Sequence, residues 1–224
     1  MDPLETIAAP TATRPMLGLT VLVVEDSLYA SEALRLLCLR SGARIRRADC
    51  LRSARRHLQV YRPSVAVVDL GLPDGSGAEL IGELTRGAAR LGVVAAMSGD
   101  PGGEAVAREA GAQIFFEKPM TSLAAFQQAI LAQLPKEYRR SGPRALSGEP
   151  IEPDPVAYKD DMAHAAELLQ ENNDTATLAY LGQFLHGVAR CAGDEELEAA
   201  ADHLSARLAE DQPIGSDLGQ LTGL

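Results

Sequence analysis

"VAVVDLGLPDGSG", residues 65–77, runs four apolar residues straight into a carboxylate, Asp69, and then breaks into a turn of Gly, Pro, Asp and Ser. Asp is a good turn former and helix cap, so the stretch alone is read equally well as a strand ending where a turn begins. Its surroundings decide. From Leu19 to Leu134 short apolar runs alternate with helical periods. "LTVLVVED" (19–26), "RIRRADC" (44–50), "SVAVVDL" (64–70), "GVVAAMS" (92–98) and "AQIFFEK" (112–118) read as strands. Four of them are near-continuous apolar runs, as in a parallel sheet covered on both faces. Between and after them lie the amphipathic stretches "SEALRLLCLRSG", "LRSARRHLQVY", "GAELIGELTRGAARLG", "GEAVAREAG" and "TSLAAFQQAILAQL". This alternation predicts a doubly wound α/β domain with a five-stranded parallel sheet.

In such sheets the ligand sits outside the carboxyl ends of the strands. Strand one finishes on Glu25 and Asp26, strand three on Asp69, strand four on Ser98 and strand five on Lys118. Each alone has a plain reading: Asp26 as a helix cap, Ser98 as the start of the turn "SGDPGG", Lys118 as a solvated strand end. Together they converge on one crevice. Three crowded carboxylates raise one another's pKa unless a cation intervenes, and an all-oxygen set suits a partly hydrated Mg²⁺. Three carboxylates, one Mg²⁺ and the Lys118 ammonium sum to zero, which tolerates burial. A phosphoryl group on Asp69 would add negative charge, for which Lys118 and the Ser98 hydroxyl are placed as donors.

The motifs "VLVVEDS", "VVDLGLPDGSG", "MSG" and "FFEKPM", in this order and spacing, resemble the receiver domain of two-component response regulators over residues 19–134. The resemblance implies a flavodoxin-like fold and a signalling switch rather than an enzyme, one that promotes its own aspartyl phosphorylation and dephosphorylation. It further implies that Glu25, Asp26, Asp69 and the Gly71 backbone carbonyl hold Mg²⁺ and that Asp69 is the phosphoacceptor. Ser98 would then be the switch hydroxyl, Lys118 the phosphate-binding lysine and Phe115 the switch aromatic, with Phe116 in the core and the Lys118–Pro119 peptide cis. The implied phosphodonor is a sensor histidine kinase or a phosphotransfer protein. Gly71, two residues beyond the acceptor, offers no side chain to an attacking water, and Asp100, two beyond Ser98, is acidic, so the phosphoryl lifetime is open.

Charge divides the chain. Residues 1–140 hold 17 Lys/Arg and 15 Asp/Glu, whereas residues 141–224 hold 4 and 16, giving +2 and −12. The boundaries read as a flexible arm (1–16), the receiver domain (17–136), a Pro/Gly-rich linker (137–155), a three-helix bundle module (156–211) and a tail (212–224). Asp154-Pro155 opens the first helix of the module, with Tyr158, Met162, Ala165 and Leu169 on one stripe. The second runs from Asp174 to about Ala192, and the third from Asp194 to about Glu210, with Gly193 between them. A bundle of this size is marginal alone, which leaves completion by the receiver or by a second copy in a homodimer.

A recognition helix needs Lys and Arg toward phosphates, yet the last two helices offer Arg190 and Arg207 against seven acids. Nucleic acid is therefore disfavoured as a partner, and an unknown protein target of these helices is expected; a DNA-binding regulator is the alternative. A phosphorelay intermediate using His186, mid-helix in "FLHGVARCAG", is the second alternative. Ala189 stands where phosphotransfer helices carry lysine, and His186 adjoins the apolar stripe as a boundary packing residue would. Cys38, Cys50 and Cys191 show no metal-ligand spacing, the N-terminus lacks a signal-peptide pattern, and no apolar run reaches membrane-spanning length. A cytoplasmic location follows as the expectation.

Overall fold

The computed structural model describes residues 9–86, 91–135, 150–171 and 174–210. Strands β1 (Thr20–Val24), β2 (Arg44–Ala48), β3 (Val65–Asp69), β6 (Val93–Ser98) and β7 (Ile114–Glu117) form one parallel sheet in the order β2-β1-β3-β6-β7. A two-residue hairpin, β4 (Gly71–Leu72) with β5 (Gly75–Ser76), follows β3 and was not foreseen from the sequence. Helices α1 (Leu28–Ser41), α2 (Leu51–Val60), α3 (Gly77–Arg86), α4 (Gly103–Ala110) and α5 (Leu123–Gln133) cover the two faces. The apolar runs explain the layering. Alternate residues of β1 face opposite ways, so Val21 and Val23 pack under α1 and α5 while Leu22 and Val24 pack in the other layer. Helix α1 starts at Ser27, whose side chain accepts from the Ala30 amide, and ends on Gly42 in the left-handed region at φ +83°.

Two segments are more tightly held than their composition suggests. Of the arm, residues 1–8 lie outside the described residues, but Met16 is fully buried and its amide donates to the Ser41 carbonyl at 2.9 Å. Of the linker, residues 137–149 lie outside them, while Ile151 is buried in the α1/α5 layer and donates to the Thr121 carbonyl at 3.2 Å. In both places one apolar side chain within a polar stretch finds the core. Residue 211 and the tail (212–224) are also outside the described residues.

Helices α6 (Pro155–Glu171), α7 (Thr175–Ala192) and α8 (Glu195–Ala209) form the C-terminal bundle around Leu181, Phe184, Leu185, Val188, Leu197 and Ala201. Asp174 caps α7 by accepting from the Thr177 amide, and Asp194 caps α8 by accepting from Leu197. The bundle rests on the receiver. α6 and α7 pack against α1, and α7 also reaches the β4 hairpin.

Candidate functional site

The parallel register brings the carboxyl ends of the central strands level: Val24 pairs with Val68, Asp69 with Met97 and Ser98 with Glu117. Glu25, Asp69, Ser98 and Lys118 are buried there, and Asp26 is half-buried. The Lys118 Nζ lies 2.9 Å from Glu25 Oε2 and 3.3 Å from Asp69 Oδ1. One oxygen each from Glu25, Asp26 and Asp69 lies within 4.8 Å of the others. The set is all oxygen and has one ammonium for three carboxylates, so it could hold a hard divalent cation.

Burial pushes the Glu25 carboxyl well above the ordinary range, with Lys118 opposing and Asp69 and Asp26 adding to the rise. Burial and the Asp69 charge push Asp26 up to about 6, against the hydrogen bond it accepts from Tyr180. Asp69 is also raised by burial, with Lys118 opposing. For Lys118, burial works toward the neutral form, but Asp69 and Glu25 outweigh it and hold the ammonium well above the usual lysine range. Lysine alone does not balance the acids.

Ser98 Oγ accepts from the Asp100 amide at 3.0 Å, and Asp100 Oδ1 in turn accepts from the Gly102 amide at 2.6 Å. Phe115 is partly buried against the layer containing α3 and α4, whereas Phe116 is buried on the other face with its ring 5.6 Å from Phe126. The Lys118–Pro119 peptide is cis. Gly71 borders Asp69: a Cβ there would stand 3.8 Å from Asp69 Oδ2.

Sequence reasoning missed the residues that the C-terminal helices bring to this crevice. Tyr180 of α7 donates to Asp26 Oδ2 at 2.6 Å. Asp161 of α6, itself buried, accepts from Ser27 Oγ at 2.8 Å and from the Leu28 and Tyr29 amides at 2.8 and 3.0 Å, so a carboxylate joins the Ser27 hydroxyl at the start of α1. Arg190 donates to the Gly99 carbonyl at 2.6 Å and to Glu117 at 3.0 Å. His186, read from sequence as a boundary packing residue, lies at this interface with Nδ1 2.7 Å from Asp202 Oδ1 and Nε2 3.3 Å from the Gly99 carbonyl. A cleft of about 450 Å³ between the two parts is lined by Asp69, Ser98 and Lys118 on one side and Gln183, His186 and Asp202 on the other. Among the described residues, no helix is long and apolar enough to cross a membrane.

The sequence profile of the response regulator receiver domain matches residues 21–130. The KDP operon transcriptional regulatory protein KdpE of Escherichia coli is 31% identical over 99 residues, which are 44% of this chain and 44% of that protein. The virulence transcriptional regulatory protein PhoP of Salmonella typhimurium is 41% identical over 61 residues, 27% of each chain. The chain thus spans less than half the length of these relatives. Among solved structures, the receiver domain of the sensor histidine kinase PA1611 of Pseudomonas aeruginosa, described with a magnesium ion coordinated in its active-site cleft, is 19% identical. It covers 51% of this chain and 96% of its own, at a TM-score of 0.47. With the profile match lying on the five-stranded α/β unit, this chain carries, over residues 21–130, a response regulator receiver domain.

Proposed function

We propose that the chain is a response regulator switched by phosphorylation of Asp69, with a sensor histidine kinase or phosphotransfer protein as donor. The observation that carries this reading is the Lys118 ammonium placed on Asp69 and Glu25, with Asp26 beside them. Mg²⁺ held by Glu25, Asp26, Asp69 and the Gly71 carbonyl would supply the positive charge that the three carboxylates lack and neutralise the incoming phosphoryl oxygens. Asp69 is the nucleophile, Lys118 holds a phosphoryl oxygen, and Ser98 turns its hydroxyl from the Asp100 amide toward the new charge. Phe115 follows into the space so vacated.

Output belongs to the acidic helices, acting by protein contact. Because Tyr180 and Asp161 fasten them to Asp26 and to the start of α1, a change at the acceptor bears directly on the docked arrangement. Phosphorylation shifts an equilibrium between docked and released helices. A radiolabelled small phosphodonor with Mg²⁺ should label the full chain once, and Asp69→Asn should abolish the label; stoichiometric labelling of that variant would refute the assignment. The names of KdpE and PhoP favour the alternative, a DNA-binding output, for which duplex binding by the full chain that weakens steeply with salt is the deciding result.

A further inference from the structure

Hydrolysis of an aspartyl phosphate needs a water held in line with the bond that breaks, and the receiver half leaves one side of its acceptor bare. Gly71, two residues after Asp69, has no side chain to hold such a water. The space is not left to solvent alone. A Cβ at Gly71 would stand 3.3 Å from Gln183 Oε1 and 3.8 Å from Asp69 Oδ2, so the α7 amide reaches into the place a side chain at 71 would take.

Helix α7 can come this close because it is small where it crosses the site. A Cβ at Gly187 would already lie 3.5 Å from Lys118 Nζ, so a larger residue there would press on the lysine. Gln183 is exposed to the cleft, and its amide makes no hydrogen bond among the described residues. Other polar side chains of α7 on this side are engaged, Tyr180 with Asp26, His186 with Asp202 and Gly99, and Arg190 with Gly99 and Glu117. The cleft of about 450 Å³ has room for a phosphoryl group and several waters.

From this geometry we propose that Gln183 positions the water that hydrolyses the phosphoryl group on Asp69, making the C-terminal helices a built-in timer of the switch. The inference rests on the reading of Asp69 as the phosphoacceptor. Gln183 Oε1 accepts a hydrogen bond from the water, whose oxygen attacks phosphorus as the bond from phosphorus to the Asp69 oxygen breaks. The electron pair of that bond returns to the Asp69 carboxylate. One water proton stays on the attacking oxygen and the other passes to a phosphoryl oxygen, so dihydrogen phosphate leaves. The amide neither gains nor loses a proton; it orients, as a water-positioning glutamine does in other phosphoryl transfers.

The test uses the full chain, labelled with radioactive acetyl phosphate and Mg²⁺ and then freed of donor, with loss of label followed over time. Gln183→Ala and Gln183→Met should both hold the label about ten-fold longer or more. Amide exchange at Leu28 and Tyr29 should stay as in the parent, showing that α6 is still docked. Methionine keeps the volume of the side chain without its hydrogen bonds, so it separates positioning from shielding. Faster loss in the alanine variant with parental loss in the methionine variant would mean that Gln183 only screens the acceptor, and would overturn the proposal. Unchanged decay in both would overturn it too, while leaving Asp69 as acceptor. Equal labelling of Asp69→Asn would instead remove the reading beneath it.

Discussion

In the receiver crevice Glu25 and Asp69 are buried against one lysine with Asp26 half-buried beside them, whereas in the helical module Asp174 and Asp194 sit at helix starts and accept from backbone amides. The first group is held above its ordinary pKa by burial, with repulsion from neighbouring carboxylates adding to the rise at Glu25 and Asp26. Asp194 is held below it, chiefly by the Leu197 amide and the Tyr158 hydroxyl. The crevice thus carries carboxylates whose burial opposes stability at neutral pH, as burial also does at Asp161, whereas the ionised Asp194 supports it. The contrast separates two uses of acids: the crevice gathers three carboxylates around one ammonium, and the module uses Asp174 and Asp194 to hold helix starts.

The largest effect should come from breaking the module's core while sparing the crevice. Leu185 is buried between α7 and its neighbours, and Leu185→Asp places a carboxylate there with no partner, at a cost of about 3–5 kcal/mol. Amide protection across residues 155–209 should collapse, while protection in β1 and β3 and labelling of Asp69 survive. Loss of protection in the sheet as well would mean that the two halves fold as one unit. Next in size is Asp161→Ala. It removes the acceptor for one hydroxyl and two amides at the start of α1, which should weaken docking by about 2–3 kcal/mol. The Leu28 and Tyr29 amides should then exchange faster, with the core of α7 and α8 unaltered.

The same two regions differ in how far they were legible. The five strands and five helices of the receiver follow from alternating apolar runs, and the observed strand bounds lie within two residues of those read from sequence at every end. Glu25, Asp69, Ser98 and Lys118 converge because parallel pairing puts strand ends level, so position in the chain was enough to place them. The three helices of the module were legible for the same kind of reason: caps at Asp174 and Asp194 and a break at Gly193. Its docking was not. Asp161 and Tyr180 lie on amphipathic helices among other polar residues, and nothing in their spacing tells a surface acid from one that caps a helix more than 130 residues away. Met16 and Ile151 failed for a related reason, since a single apolar residue in a polar stretch carries no period.

A smaller effect should distinguish the crevice as a strained store of charge. Asp26 is half-buried beside Asp69, and in the folded chain its carboxyl titrates near about 6. In an unfolded chain the same group ionises near about 4. Ionised Asp26 therefore works against folding above about 6, and the opposition fades as pH falls toward the unfolded value. Asp26→Asn, whose carbonyl can still accept from Tyr180, should raise the metal-free stability at pH 7 by about 2 kcal/mol and leave it unchanged at pH 4. Urea unfolding at both pH values measures this. A destabilised variant at pH 7 would mean that Lys118 already balances the three acids.

The smallest effect is the mirror image of that one, in the module. Asp194 caps α8, accepting from the Leu197 amide at 3.0 Å and from Tyr158 Oη at 2.7 Å. Both donors favour the ionised carboxylate, so its folded pKa lies below the unfolded value and its contribution is present above about 4 and lost as pH falls through the folded pKa. Asp194→Ala should cost about 1 kcal/mol at pH 7, less at pH 3, because protonation already strips the parent of part of the cap. Asp194→Asn keeps a capping oxygen but cannot ionise, so it should hold most of the stability at pH 7 while flattening the dependence between pH 5 and 3. Opposite slopes for the asparagine variants at 26 and 194 would place the difference between the halves in their carboxylates; equal slopes would place it in packing alone.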